Sequence, residues 1–267
     1  MVFKKIKFKY IYGPVYSWRL GRSLGIDLVF SKNKICNFNC LYCQLKDTPI
    51  YTNRREIFVS SDEVIKELKS LPNLKLDYIT FSGRGEPTLA KNLGEVIEFV
   101  KINFDIPVAV LTNGSLLYKK ELRDELLLAD LVAIKLDASK DTMLKRINRP
   151  FKYINFSKIL KGIFAFRKEY KKKFALQLMF IRENKSEIKG LIEISKKIMP
   201  DEIQINTPLR PCGVKPLGKD EILRIKKEFL KSLSDFKNIK IISVYDKKIF
   251  CYNIALSKIA TSLRRPI

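Results

Sequence analysis

Short apolar, β-branched runs alternate along this chain with longer stretches whose apolar positions recur every three or four residues. The short runs predict strands at 25–30, 77–82, 108–112, 131–136, 175–181 and 202–205. The longer stretches predict amphipathic helices at 61–71, opening on a Ser/Asp cap, and at 93–102, 119–128, 156–171 and 185–198. Six strands alternating with helices imply an α/β fold with a parallel sheet, and right-handed crossovers curl such a sheet into an open or closed barrel. The expected architecture is a parallel (β/α)6 barrel, open or closed. In a barrel of this kind ligands collect where the βα loops gather, at the C-terminal ends of the strands.

No internal repeat or low-complexity linker interrupts the pattern. Residues 213–219 form the only plausible boundary, which divides the chain into an N-terminal segment 1–24, a core barrel 25–212 and a C-terminal helix-and-strand appendage 213–267, with a short strand expected at 239–244. The stretch 12–29 is dense in Gly, aromatic and Arg residues. It reads either as a cap over the bottom or side of the barrel or, through the forked donors of Arg19 and Arg22, as a grip on phosphate or carboxylate.

A length of 267 residues with 46% hydrophobic residues suffices for a substantial core. The apolar runs are too short to cross a bilayer, and the basic start leads into no signal-type apolar stretch, so a cytoplasmic protein with no membrane partner is expected. Charge adds a further constraint: 52 Lys and Arg against 28 Asp and Glu leave +24. Such a surface attracts polyanions such as tRNA, and it would equally steer an acidic electron-carrier protein, although a Lys-rich face is often simply a solvated one.

Within this pattern the most informative segment is Cys36-Asn-Phe-Asn-Cys40-Leu-Tyr-Cys43. Three of the five cysteines crowd one loop after the first predicted strand, which is no disulfide framework. Thiolates spaced in this way can converge on one metal centre, yet they number three. A structural zinc site takes four ligands, and with no His in the chain the fourth would come from Cys212, Cys251 or a distant carboxylate. An iron–sulfur cube held by three thiolates instead keeps one iron open. Cys212 and Cys251 read as isolated thiols.

Other unusual loops fall on the same rim. Ser82-Gly83-Arg84-Gly85-Glu86-Pro87 follows the second strand, where two glycines let backbone approach a ligand and Glu86 adds a carboxylate, or where they simply form a tight turn. Leu111-Thr112-Asn113-Gly114-Ser115 ends the third strand with groups that can bind ribose or carboxylate, or make an ordinary Asn-Gly turn. Lys135 and Asp137 share one face at the end of the fourth strand, paired with each other or with a zwitterionic ligand. Thr207-Pro208-Leu209-Arg210-Pro211 follows the sixth strand.

The CxxxCxxC spacing, with Tyr42 before the last Cys, resembles the signature loop of the radical S-adenosylmethionine (SAM) superfamily, and Gly83 to Pro87 resembles its glycine-rich motif with Arg84 inserted. With Cys43-Gln44-Leu45, 81–88, 111–115, Ile147-Asn148-Arg149-Pro150 and 204–211, the likeness extends over residues 12–211 to a group classed as iron–sulfur oxidoreductases beside the wyosine-type tRNA synthases. The resemblance implies a radical SAM partial TIM barrel in which Cys36, Cys40 and Cys43 hold a [4Fe-4S] cluster. Its open iron chelates SAM, and an electron from the cluster, supplied by an acidic donor such as a ferredoxin or flavodoxin, cleaves it to a 5'-deoxyadenosyl radical that takes hydrogen from a substrate. It further implies that Gly83, Gly85, Glu86 and Pro87 approach the amino group of SAM, that Asn113 and Asp137 help to position it, and that Tyr42 lies near the adenine. The substrate stays open, with tRNA modification as one alternative. The wyosine-forming enzymes carry further cysteines for a second cluster, and this chain has no such group. A non-catalytic nucleic-acid-binding protein stapled by the Cys loop is the reading from another class.

Overall fold

The computed structural model describes residues 8–45 and 50–246. Cys251 and the last part of the predicted C-terminal appendage lie outside the described residues, as do residues 1–7 of the N-terminal segment. Along the chain the elements are β1 (Ile11–Ser17), β2 (Gly21–Ile26), the short pair β3 (Ile35–Cys36) and β4 (Ile50–Tyr51), α1 (Ser61–Lys69), β5 (Tyr78–Phe81), α2 (Leu93–Asn103) and β6 (Val108–Thr112). There follow α3 (Lys120–Leu126), β7 (Leu131–Lys135), a single turn α4 (Asp141–Met143), α5 (Phe156–Glu169), β8 (Lys173–Met179), α6 (Ile188–Ile198), β9 (Glu202–Asn206), α7 (Lys219–Ser232) and β10 (Lys240–Ser243). One sheet runs β1-β2-β5-β6-β7-β8-β9-β10, parallel throughout except for β1, which lies antiparallel along β2. This is a curled, mostly parallel half-barrel, the open one of the two forms the alternation allows and the one the resemblance implies.

Period-two alternation sorts the strand residues. Val132 and Ile134 of β7, Phe174, Leu176 and Leu178 of β8, and Ile203 and Ile205 of β9 join the large core formed with the helices. The opposite face carries mostly small residues: Ala109, Ala133 and Ala175 form a separate cluster with Leu131 and with Leu20 from the β1–β2 turn. Barrel interiors are usually filled by layers of branched side chains. Here alanines at three of those positions leave the interior hollow above a floor that Leu20 plugs.

The first predicted strand differs in phase, running Gly21–Ile26 rather than 25–30. Asp27 ends it: its buried carboxylate accepts the backbone N–H groups of Val29 (3.2 Å) and Arg84 (3.1 Å), which turns the chain out of the sheet and toward the Cys loop. Helix α6 begins at Ile188, three residues after its expected start, because a 3-10 turn at Arg182–Glu187 comes first. The strand expected at 239–244 pairs parallel with β9 as β10, and Phe229 of α7 packs edge-on against Phe180 at 6.3 Å between ring centroids. Both ends of the described chain thus extend the one sheet. Among the described residues, no helix is long and apolar enough to cross a membrane.

Candidate active site

The loops after β2, β5, β6 and β9 and the strands β7 and β8 line one cavity of about 540 Å³ that reaches from the C-terminal rim into the hollow interior. Cys36, Cys40 and Cys43 all line it. The segment carrying them is tied to a one-turn π-helix, Leu144–Asn148, and the residues after it. Asn39 N donates to the carbonyls of Asn148 and Arg149 (both 3.0 Å), Leu41 N to Ile147 O (2.9 Å), and Phe151 N to Asn37 O (2.7 Å). Those four bonds fix a loop that makes only two residues of strand, β3, against β4.

Each thiol sulfur accepts one hydrogen bond from nitrogen. Cys36 Sγ receives Phe38 N (3.4 Å), Cys40 Sγ receives Asn148 Nδ2 (3.5 Å), and Cys43 Sγ receives Lys34 Nζ (3.6 Å). Burial pushes the Cys36 and Cys40 thiols up; the charge of Glu86 adds to this for Cys36, whereas Lys135 and Asn148 oppose it for Cys40. Lys34 is only 2% exposed, and its other bond is to Asn39 Oδ1 (3.3 Å), so its cation faces the thiols.

The glycine-rich loop packs on the Cys loop. Gly85 bridges Ile35, and a Cβ there would stand 1.6 Å from the Ile35 carbonyl oxygen, immediately before Cys36. A Cβ on Gly83 would meet the Asp27 carboxylate at 2.1 Å. Both glycines line the cavity, yet their small size is required by contacts within the chain. Glu86 is buried and fully used: Oε1 accepts Thr88 N (3.2 Å), Thr88 Oγ1 (2.7 Å) and Thr112 Oγ1 (2.6 Å), and Oε2 accepts Asn113 N (2.7 Å). Burial raises its carboxyl above the usual range against the pull of these donors. Asn113 in turn donates from Nδ2 to Asn37 Oδ1 (2.7 Å), in the middle of the Cys loop.

On the other side, the Tyr42 hydroxyl donates to Asp137 Oδ2, and Asn148 Nδ2 reaches both Tyr42 Oη (2.5 Å) and Asp137 Oδ2 (3.0 Å). Asp137 Oδ1 accepts Met179 N (2.7 Å). Lys135 Nζ lies 3.7 Å from Asp137 Oδ2 and 4.7 Å from the centre of the Tyr42 ring, so the expected Lys135–Asp137 pair is present and also holds the tyrosine. Burial, then the Asp137 charge, raises the Tyr42 hydroxyl well above its ordinary range. Tyr42, Gly83, Gly85, Glu86 and Asn113 line the cavity, whereas Pro87 and Asp137 stand behind its wall. Arg19 also faces the cavity. Arg22 is instead engaged by Asp77 at the start of the neighbouring strand, with its fork at 3.1 and 2.8 Å.

Three asparagines and glutamines went unassigned in the sequence: Asn37, Asn148 and Gln177. Asn37 and Asn148 sit inside segments that stood out, but their side chains carry no charge, and their partners lie up to 108 residues away.

The family model of the radical SAM superfamily matches residues 31–194. The chain belongs to the radical SAM superfamily. This radical SAM enzyme is 41% identical over 214 residues to a UPF0026 protein of Synechocystis, covering 80% of the chain and 79% of that relative. It is 42% identical over 251 residues to a protein named GTPase Obg of Brachyspira hyodysenteriae, covering 91% of the chain but 36% of that relative's length. Among solved structures it superposes on TYW1 with a lysine-pyruvate adduct bound, with a TM-score of 0.61 at 20% identity over 79% of this chain and 73% of that one. It also superposes on Streptococcus suis SuiB bound to S-adenosylmethionine, with a TM-score of 0.63 at 14% identity over 81% and 50%. These two likenesses are of fold. Membership replaces the non-catalytic staple with an enzyme.

The superfamily implies a [4Fe-4S] cluster and SAM, and the residues present fit them. Three thiols share one cavity, and each already accepts an N–H donor as a coordinated sulfur does. Among the described residues no set of three or more His, Cys, Asp or Glu is arranged to hold a single metal ion.

Proposed function

We propose that the protein binds a [4Fe-4S] cluster through Cys36, Cys40 and Cys43, holds SAM on the cavity rim, and abstracts hydrogen from a substrate enclosed in the barrel. The observation that carries this reading is the meeting of three thiols and the glycine-rich loop at the mouth of one hollow, half-closed cavity. When bound, cluster and cofactor supply the one-electron cleavage of SAM to 5'-deoxyadenosyl and methionine.

The chain's own residues bind, orient and exclude water. Lys34 and Asn148 donate to two of the sulfurs and so offset the charge of the thiolates. Glu86 clamps the glycine-rich loop to the end of β6, which leaves the backbone of Ser82 to Gly85 along the cavity for the methionine end of SAM. Asp137 and Asn148 fix the Tyr42 ring at the wall, beside the adenine in this reading; Asp137 acts through Tyr42 and is a positioning residue. The Leu20 plug closes the far end of the barrel, so that a radical formed at the rim meets substrate rather than water. An acidic ferredoxin or flavodoxin is the electron donor that the +24 charge favours.

The test is anaerobic reconstitution followed by reduction in the presence of SAM. The parent protein is expected to form 5'-deoxyadenosine slowly even without substrate, and Cys36→Ala, Cys40→Ala and Cys43→Ala to form none. Turnover that survives in any of these variants removes that cysteine from the ligand set.

A further inference from the structure

The hollow part of the cavity, below the rim, contains a row of polar side chains that continues from Lys135 into groups no step above uses. By sheet register Lys135 of β7 stands beside Gln177 of β8, and Gln177 beside Gln204 of β9. All three lie on the inward face, since their neighbours Ile134, Leu176, Ile203 and Ile205 belong to the outer core. Gln204 Nε2 donates to Glu202 Oε1 (2.7 Å), which turns Gln204 Oε1 toward Arg19 NH1 (3.3 Å). Arg19 comes from the β1–β2 turn and so reaches across the barrel's open side to β9. Gln177 is 7% exposed and lines the cavity, and its Nε2 has no hydrogen-bond partner. Native proteins rarely leave such a donor unpaired.

We infer that this row anchors the substrate, and that the substrate is a small acidic molecule whose carboxylate or phosphate sits between the Arg19 guanidinium and the Gln177 amide. Both groups are donors, so the complementary ligand is an acceptor. Among the described residues lining the cavity, Glu86 is the one carboxylate, and its oxygens are taken by four donors. The other carboxylate on this wall, Glu202, is held by Gln204 Nε2 and paired with Lys173 Nζ at 3.0 Å. The Ala133 and Ala175 positions beneath the wall leave room for the bound group, and the rest of the molecule extends toward the thiol rim. The anion site stands on this geometry, while its role as substrate anchor rests on the radical SAM reading.

Trp18 is the chain's single tryptophan; it lines the same cavity, with the Arg19 guanidinium 5.8 Å from its ring centre. Its emission therefore reports occupancy directly. SAM-loaded, reconstituted protein is titrated with inorganic phosphate and with malonate, against sodium chloride at matched ionic strength. A saturable change with at least one of the two anions is expected, and at least a tenfold weakening in Arg19→Gln and in Gln177→Leu. If Gln177→Leu does not fold, Arg19→Gln and Gln177→Glu decide. A response to phosphate alone assigns a phosphate ester, and one to malonate alone a carboxylic acid. A response no larger than that to chloride, or one unchanged in the variants, overturns the site. 5'-Deoxyadenosine formation by the parent is measured in parallel. If the parent cleaves SAM yet binds neither anion, the anchor is wrong and the enzyme reading stands; if it binds anions and cleaves no SAM, the anion site stands and its substrate role falls.

Discussion

Glu86 illustrates how residues from the glycine-rich loop work on this chain before they touch any ligand. One oxygen faces the backbone N–H of Thr88 and the other that of Asn113. An amide in its place must point its NH2 at one of those two donors whichever way it flips. Glu86→Gln should therefore cost about 1–3 kcal/mol, the usual penalty for an unsatisfied buried group, read as a lower urea midpoint of the unloaded protein. An unchanged midpoint would mean that the carboxylate is not clamped as described. The charged and sulfur-bearing residues of the site were legible in the sequence because their side chains announce chemistry: Cys36, Cys40, Cys43, Glu86 and Asp137. Their supports were not. Asn37 and Asn148 act through amides whose partners lie on distant loops, and Gln177 comes beside Gln204 only through sheet register, so only folding brings them together.

At the scale of elements, β6 and β7 were readable almost to the residue, since each is a continuous apolar run covered by helices on its outer face. The phase of β2 was not, because the apolar run continues through Leu28 and Val29 while Asp27 has already ended the pairing. The two-residue strands β3 and β4 carry no period at all, and their contact is set by the loop around them. Their weakness makes Gly85 decisive. In Gly85→Ala the new Cβ meets backbone, not a movable side chain, so β3 must shift just before Cys36. Iron and sulfide incorporation should fall to about the level of Cys36→Ala, whereas Gly218→Ala, whose Cβ would find only Glu221 at 3.8 Å, should load like the parent. Full loading of Gly85→Ala would show that the two loops do not share this contact.

Across the whole molecule the +24 charge and the half-closed cavity point to different things. The charge will hold tRNA and heparin alike, with affinity falling steeply as salt rises, because each neutralised phosphate releases counterions. With the substrate anchored inside the barrel, 5'-deoxyadenosine formation should be no faster with tRNA than with heparin; clear stimulation by tRNA alone would make a nucleotide of RNA the substrate in place of a small acid. The central claim is narrower than either, namely that three thiols hold a cluster with one iron left for SAM. Electron paramagnetic resonance of the reduced, reconstituted protein tests it most directly, recorded with and without SAM beside the Cys212→Ala variant. The expected result is a [4Fe-4S] signal in both proteins that changes when SAM is added. A signal that SAM leaves unchanged, or one that disappears in Cys212→Ala, would mean that the fourth iron is closed by the protein and would contradict the account.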